Sequence, residues 1–258
     1  MTQLRTFIEE YIQTQVRESQ SVTPYRRPLV GFAAADDPAW ARLRQIAEPT
    51  HALPADLLPE ARTVMAFFIP FAESVVYANR DASGVAWEWR MAYAETNILI
   101  NRIAAGLTEA LAERGIKAAS QPSTHNYDPA TLICGWSHKS AAAIAGLGSF
   151  GLHRMLITDL GCAGRCGSLV LDAEIPPTSR QQPQRCLYFH DGSCTVCVDD
   201  CPSAALRLAG PTELNLDKHR CNNYLLDAWS RIDHADFPGP ADVCGKCAMG
   251  PCALGSAV

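Results

Sequence analysis

The sequence predicts a mixed α+β chain in two parts: a layered α/β domain over residues 1–180 and a small cysteine-rich domain over residues 181–258. Three observations lead there. In the first part, apolar runs of strand length alternate with stretches of helical periodicity. Eight of the 11 cysteines crowd into the last third of the chain. Between the two parts, Pro176-Pro177 and Arg180-Gln-Gln-Pro-Gln184 form a polar, proline-marked linker. At 258 residues and 48% hydrophobic, the chain can bury a sizeable core.

The elements follow in order. Leu4, Phe7, Ile8, Tyr11 and Ile12 recur at helical spacing, so residues 3–18 read as an amphipathic helix. Residues 28–35 read as a short strand, and Asp37-Pro38 as a helix start. Thr63 to Pro70 is a continuous apolar run, suited to a strand buried on both faces. A long helix is expected over 88–114. Ile100, Ile103, Leu107 and Leu111 form its buried stripe, and Gly115 caps its end. Ile116 to Ala119 opens another strand. Ser137 caps an alanine-rich helix that ends near Gly146. Residues 156–158 and 167–172 complete the strands.

The cysteines carry the chemistry. Cys194-Thr-Val-Cys197-Val-Asp-Asp-Cys201-Pro202 reproduces the last two-thirds of the bacterial two-cluster run C-x2-C-x2-C-x3-C-P. Where that run would begin stands Asp191, so Cys186, across a short loop, is the first ligand expected. The other four are Cys221, Cys244, Cys247 and Cys252. Under the cross-ligation rule of such runs, one four-iron cluster takes Cys186, Cys194, Cys197 and Cys252. The other takes Cys201, Cys221, Cys244 and Cys247. A single zinc site on the two C-x2-C pairs is the bland alternative, but it leaves four cysteines unemployed and does not account for Cys201-Pro202. Disulfides are not expected, since the N-terminal segment has no secretory character and a reducing compartment favours metal-binding thiols.

Composition narrows the function classes. The net charge is −5, only Lys117, Lys139, Lys218 and Lys246 are lysine, and no basic run exceeds Arg26-Arg27. No broad electrostatic footprint for nucleic acid is evident. No apolar stretch approaches the ~18 residues that a membrane helix needs, so no membrane partner and a cytoplasmic location are expected.

Gly146-Leu-Gly148-Ser-Phe-Gly151 matches G-x-G-x-x-G. A dinucleotide fingerprint must follow a strand and open a helix, whereas here a helix precedes and a strand follows. The segment reads as a helix stop, or as bare backbone that a large planar cofactor could approach closely.

The segment Trp136-Ser-His-Lys-Ser-Ala-Ala-Ala-Ile-Ala-Gly-Leu-Gly-Ser-Phe-Gly151, then Leu156-Ile-Thr158 and the two cysteine sets, resembles the epoxyqueuosine reductase family. Leu57 to Ala66 is also similar. The resemblance implies a cobalamin-binding domain similar to the nitroreductase fold, followed by a ferredoxin-like domain with two [4Fe-4S] clusters, an arrangement that reductive dehalogenases share. It implies electron delivery from an external one-electron donor, such as ferredoxin or flavodoxin, through the clusters to a corrinoid or a small-molecule substrate. A flavin could stand in for cobalamin, given the nitroreductase likeness. His138, Gly146, Gly148 and Gly151 are then the candidate cofactor-binding residues.

Departures limit the resemblance. Counting back from Ala145 to the family's catalytic aspartate reaches Leu132, and Asp128 is the nearest aspartate, so the catalytic acid is unassigned. The chain ends at Val258, soon after Cys252, so tRNA is not an expected partner. These features suggest a paralogue that keeps the redox core. An electron-transfer or corrinoid-reducing accessory protein, without substrate turnover of its own, is the alternative. Cys134, Cys162 and Cys166 are expected to be small packed side chains, and His138 and Lys139 are candidates for proton donation.

Overall fold

The computed structural model of the chain describes residues 2–124, 127–180, 184–256 and 258. Helices α1 (Thr2–Arg17), α2 (Pro38–Ile46), α3 (Pro54–Leu57), α4 (Glu73–Asp81), α5 (Trp87–Ala112) and α6 (His138–Ile144) are interleaved with strands. These are β1 (Leu29–Ala34), β2 (Thr63–Pro70), β3 (Ala118–Ser120), β4 (Tyr127–Asp128), β5 (Ile133–Cys134), β6 (Gly148–Phe150), β7 (Leu156–Thr158) and β8 (Gly164–Leu171). The tail carries α7 (Leu187–Asp191), α8 (Val196–Asp199) and α9 (Lys218–Ser230).

The main sheet has the order β1-β2-β8-β3, and every neighbouring pair is antiparallel. All eight residues of β2 are buried. Side chains alternate across a strand, so Met65, Phe67 and Ile69 face one layer, and Val64, Ala66 and Phe68 the other. The first layer is α1 and α5, whose Ile8, Ile12, Leu99, Ile103 and Leu107 are at most 1% exposed. The second is α2 and α6. Helices on both faces explain why β2 reads as an unbroken apolar run, although its partners are antiparallel. Each large side chain so buried contributes roughly 1.5–3 kcal/mol.

The helix boundaries follow local chemistry. Asp37 accepts a hydrogen bond from the Ala39 amide (2.9 Å) and caps α2. Ser137 accepts from the Ser140 amide (3.1 Å) and caps α6. Gly115 and Gly146 take φ of +73° and +82° just beyond α5 and α6, the left-handed stop that glycine adopts without strain. Strand β8 begins three residues earlier than its apolar pattern suggests, because Gly164 to Cys166 pair with the end of β2.

The tail packs on α4 and α5. Asn79 Nδ2 donates to the Cys244 carbonyl, Arg80 Nε to that of Met249, and Lys246 Nζ to those of Asn79 and Ala82. Arg90, 3% exposed, donates to the carbonyls of Ala241 (2.8 Å) and Ala228 (3.0 Å). Arg26 reaches the carbonyls of Phe71, Leu254 and Leu160. Ala248, Met249 and Ala253 share a core with Phe71, Val75 and Trp89. The linker expected at residue 180 runs into residues 181–183, which lie outside the described residues. Among the described residues, no helix is long and apolar enough to cross a membrane.

Candidate functional site

Cysteines line two adjoining cavities. Cys186 caps α7, Cys194 precedes α8, Cys197 lies within it, and Cys252 comes from the last turn of the chain. All four line one small cavity, together with His153. Burial, then the nearby Cys252, Cys186 and Cys194, pushes the Cys197 thiol up to about 12. Cys201, Cys221, Cys244 and Cys247 lie on the wall of a much larger cavity, of about 520 Å³. Burial, then Cys244 and Cys201, raises the Cys221 thiol to about 11, and burial, then Cys244 and Cys221, pushes the Cys247 thiol up as well. Cys247 borders both cavities. Thiols gathered this closely, raising one another's pKa at Cys197, Cys221 and Cys247, suit a shared polynuclear cation, because the thiolate is the ligand form.

The loop between Cys244 and Cys247 is tightly determined. Gly245 has φ of +72°, and a Cβ there would lie 2.2 Å from the Trp89 indole. Position 245, the first of the two residues between these ligand candidates, must therefore be bare, since its backbone lies against Trp89 of α5.

The large cavity holds several residues singled out in the sequence. His138 borders it, with both ring nitrogens engaged: Nδ1 with Ser168 Oγ (2.8 Å) and Nε2 with the Pro122 carbonyl (3.1 Å). A carbonyl only accepts, so Nε2 carries the proton, and Ser168 donates to Nδ1 while accepting from Trp136 Nε1. Burial holds this imidazole neutral by pushing its pKa down. Lys139 also lines the cavity, and its amine donates to the Arg154 carbonyl (3.3 Å). Burial lowers its pKa, with Cys166 opposing. Cys134 and Leu132 stand on the same wall. Leu132 has φ of +54°, a conformation that costs a leucine energy, and its amide donates to the Asp128 carbonyl across the β4–β5 turn. Asp128 itself is exposed and absent from the cavity wall. Its carboxylate accepts from the Thr131 amide and hydroxyl and from the Ala130 amide.

Gly146, Gly148 and Gly151 are not on the cavity wall. Their bareness admits the chain itself. A Cβ on Gly148 would lie 2.1 Å from the Ile157 carbonyl oxygen in β7, and one on Gly146 would press on Thr178 and Ser179. One on Gly151 would meet Ile157 and the His153 ring at 2.8 and 2.9 Å.

Cys162 and Cys166 are buried, as small packed cysteines are. Cys162 nonetheless has a specific setting. Its amide donates to the Cys252 carbonyl (2.9 Å), and its Sγ lies 3.9 Å from Cys252 Sγ. The Cys252 thiol is drawn down by Cys162, against burial, with help from His153, and the Cys162 thiol is pushed up in turn. His153, Cys162 and Cys252 present ligand atoms within 4.8 Å of one another. The sequence reading passed over His153. The signal available was its place just after the glycine segment and before Leu156-Ile-Thr158.

No family model matches the sequence, and no curated protein matches it. Solved structures do match the fold. Epoxyqueuosine reductase from Bacillus subtilis superposes with a TM-score of 0.57 at 19% identity, over 87% of this chain and 57% of that one. The enzyme from Streptococcus thermophilus gives 0.53 at 19%, over 85% and 58%. A reductive dehalogenase, described with a mechanism for B12-dependent dehalogenation, gives 0.53 at 16%, over 89% and 30%. The chain spans less than three-fifths of the length of each of these three. Its fold is therefore the one found in epoxyqueuosine reductases and reductive dehalogenases, set in a mixed α/β chain.

Proposed function

We propose that this chain is an iron–sulfur oxidoreductase resembling epoxyqueuosine reductase, with a cofactor-binding domain over 1–180 and a ferredoxin-like domain over 181–258. Cys186, Cys194, Cys197 and Cys252 would hold one [4Fe-4S] cluster, and Cys201, Cys221, Cys244 and Cys247 the other. The observation that supports the reading is the pair of adjoining cavities that the eight cysteines line. One set surrounds its own small cavity, the other opens onto the large one, and Cys247 touches both. Such an arrangement suits electrons that arrive singly from an external donor at the first set and leave from the second.

The large cavity is within the size range of cofactor sites, and it is the candidate site for a corrinoid, or for a flavin in its place. A bound corrinoid would supply the low-potential metal chemistry, while the protein supplies binding, orientation and proton handling. Lys139 is the candidate proton source, because it lines the cavity and burial lowers its pKa. His138 would serve as a fixed, neutral wall residue, since neither of its ring nitrogens is free.

A second reading has one specific observation in its favour. With Asp128 held outside and Leu132 on the wall, the position the family resemblance would assign offers no carboxylic acid, and the carboxylate that does line the cavity, Asp242, comes from the cysteine-rich tail. That suits an electron-transfer or corrinoid-reducing accessory protein. The test is to incubate anaerobically purified protein with hydroxocobalamin, or with flavin mononucleotide, and remove the excess by gel filtration. Stoichiometric cobalt retention with a shifted corrinoid spectrum supports the reductase reading. Iron without retention of either cofactor supports the accessory role.

A further inference from the structure

We propose, granted the two-cluster reading above, that His153 tunes the reduction potential of the cluster at Cys186, Cys194, Cys197 and Cys252 by donating a hydrogen bond from Nε2–H to Cys252 Sγ. The tautomer follows from the backbone. The Met155 amide donates to His153 Nδ1 at 3.0 Å. An amide nitrogen only donates here, so Nδ1 is bare and the neutral ring carries its proton on Nε2. That nitrogen lies 3.3 Å from Cys252 Sγ. Hydrogen bonds to cluster sulfurs are among the terms that set cluster potentials, since they favour the more negative, reduced state.

The ring is held in place by its surroundings. It is buried, 5% exposed, in the turn between β6 and β7. The neighbouring Arg154 takes φ of +60° and is clamped to the tail: Nε donates to Asn215 Oδ1, Nη1 to the Pro211 carbonyl, and Nη2 to that of Glu213. Asn215, 1% exposed, returns a bond to the Leu152 carbonyl (2.9 Å). The His153 backbone is thus fixed from both sides, and Gly151 leaves the space the ring occupies. His153 also borders both cavities, so it stands between the first cysteine set and the proposed cofactor site. Cys162 is the second donor to the same sulfur, longer and weaker, at 3.9 Å.

The experiment is an anaerobic redox titration of the cluster-loaded protein, followed by electron paramagnetic resonance. Wild type is compared with His153→Leu, His153→Gln and Cys162→Ala, and iron is measured in every sample. In His153→Leu, one cluster is expected to shift to a more negative potential while the other stays in place. His153→Gln, which keeps an N–H, is expected to return part of the shift, and Cys162→Ala to give a smaller one of the same sign. Full iron with both potentials unchanged in His153→Leu overturns the proposal. Should His153→Leu lose iron, His153→Gln decides: a full complement with a potential near wild type supports tuning, and loss of iron there too overturns it in favour of an assembly role. Wild-type protein without clusters removes the underlying two-cluster reading instead, a failure visible before any variant is compared.

Discussion

Replacing Arg90 with methionine tests how the cysteine tail is fastened to the sheet domain. The guanidinium is 3% exposed and donates to two tail carbonyls, Ala241 at 2.8 Å and Ala228 at 3.0 Å. Its carbon lies 5.7 Å from the centre of the Trp229 ring. Hydrogen bonds from a charged donor are each worth about 1.5–3 kcal/mol, and a cation–π contact adds about 0.5–1 kcal/mol. Two corrections lower the sum. Ala228 is only half-buried, so water can replace the lost donor there. Burying the guanidinium also has its own cost, visible in its lowered pKa. Methionine keeps much of the aliphatic stem. The net loss should be about 2–4 kcal/mol, a large part of the roughly 5–15 kcal/mol that holds a domain folded. Anaerobic urea unfolding, followed by far-ultraviolet circular dichroism and by visible absorption, measures it. The visible signal should be lost first, because the tail loosens before the sheet. Arg90→Lys should recover less than half, since one ammonium does not match a planar fork. A loss under about 0.5 kcal/mol with both signals moving together would refute the reasoning, because charged hydrogen bonds would then contribute nothing net.

Other predictions follow from the same geometry. Cys197→Ser should lower the iron content from about eight to about four per chain and leave one cluster signal; unchanged iron would contradict the ligand set. Gly245→Ala should destabilise the loop between Cys244 and Cys247 by about 1–3 kcal/mol, as overpacking and a left-handed backbone require, and iron loss on mild heating would report it. His51 and His138 are both buried, with pKa values pushed below 6.5, chiefly by burial. The unfolded chain therefore binds more protons near pH 6, and stability should be full above about pH 6.5 and fall as the pH drops below it. The urea midpoint between pH 7 and 5 should slope less in His51→Gln, and an equal slope would contradict this. Lys139→Met should slow proton-dependent turnover while leaving iron and cofactor retention unchanged.

The parts legible in the sequence were those governed by local pattern. The buried run of β2, the stripe of α5 and the caps at Asp37 and Ser137 follow from periodicity and hydrogen-bond chemistry within a few residues. The cysteines stand out by their spacing, while their division into two sets of four rests on the cross-ligation rule of such runs; in the structure Cys247 borders both cysteine-lined cavities. What escaped depends on distant partners. Strand β6 is three residues long and exists through its register with β7, which no run of side chains announces. The glycines at 146, 148 and 151 carry no mark of whether a ligand or the chain itself will approach them; here β7, the 178–179 segment and the His153 ring do. His153 reads as an ordinary loop histidine until Met155 fixes its tautomer and Cys252, far along the chain, arrives at its other nitrogen. Arg26 and Arg90 likewise gain their roles only when carbonyls from separate segments converge on them.

The most direct test of the account is elemental analysis of protein purified without oxygen, with iron, acid-labile sulfide and zinc measured per chain. Two four-iron clusters require about eight irons and about eight sulfides, with a brown absorption that bleaches on reduction. A colourless protein carrying zinc and no sulfide would contradict the account, since the C-x2-C pairs would then form a structural site with no electron to give.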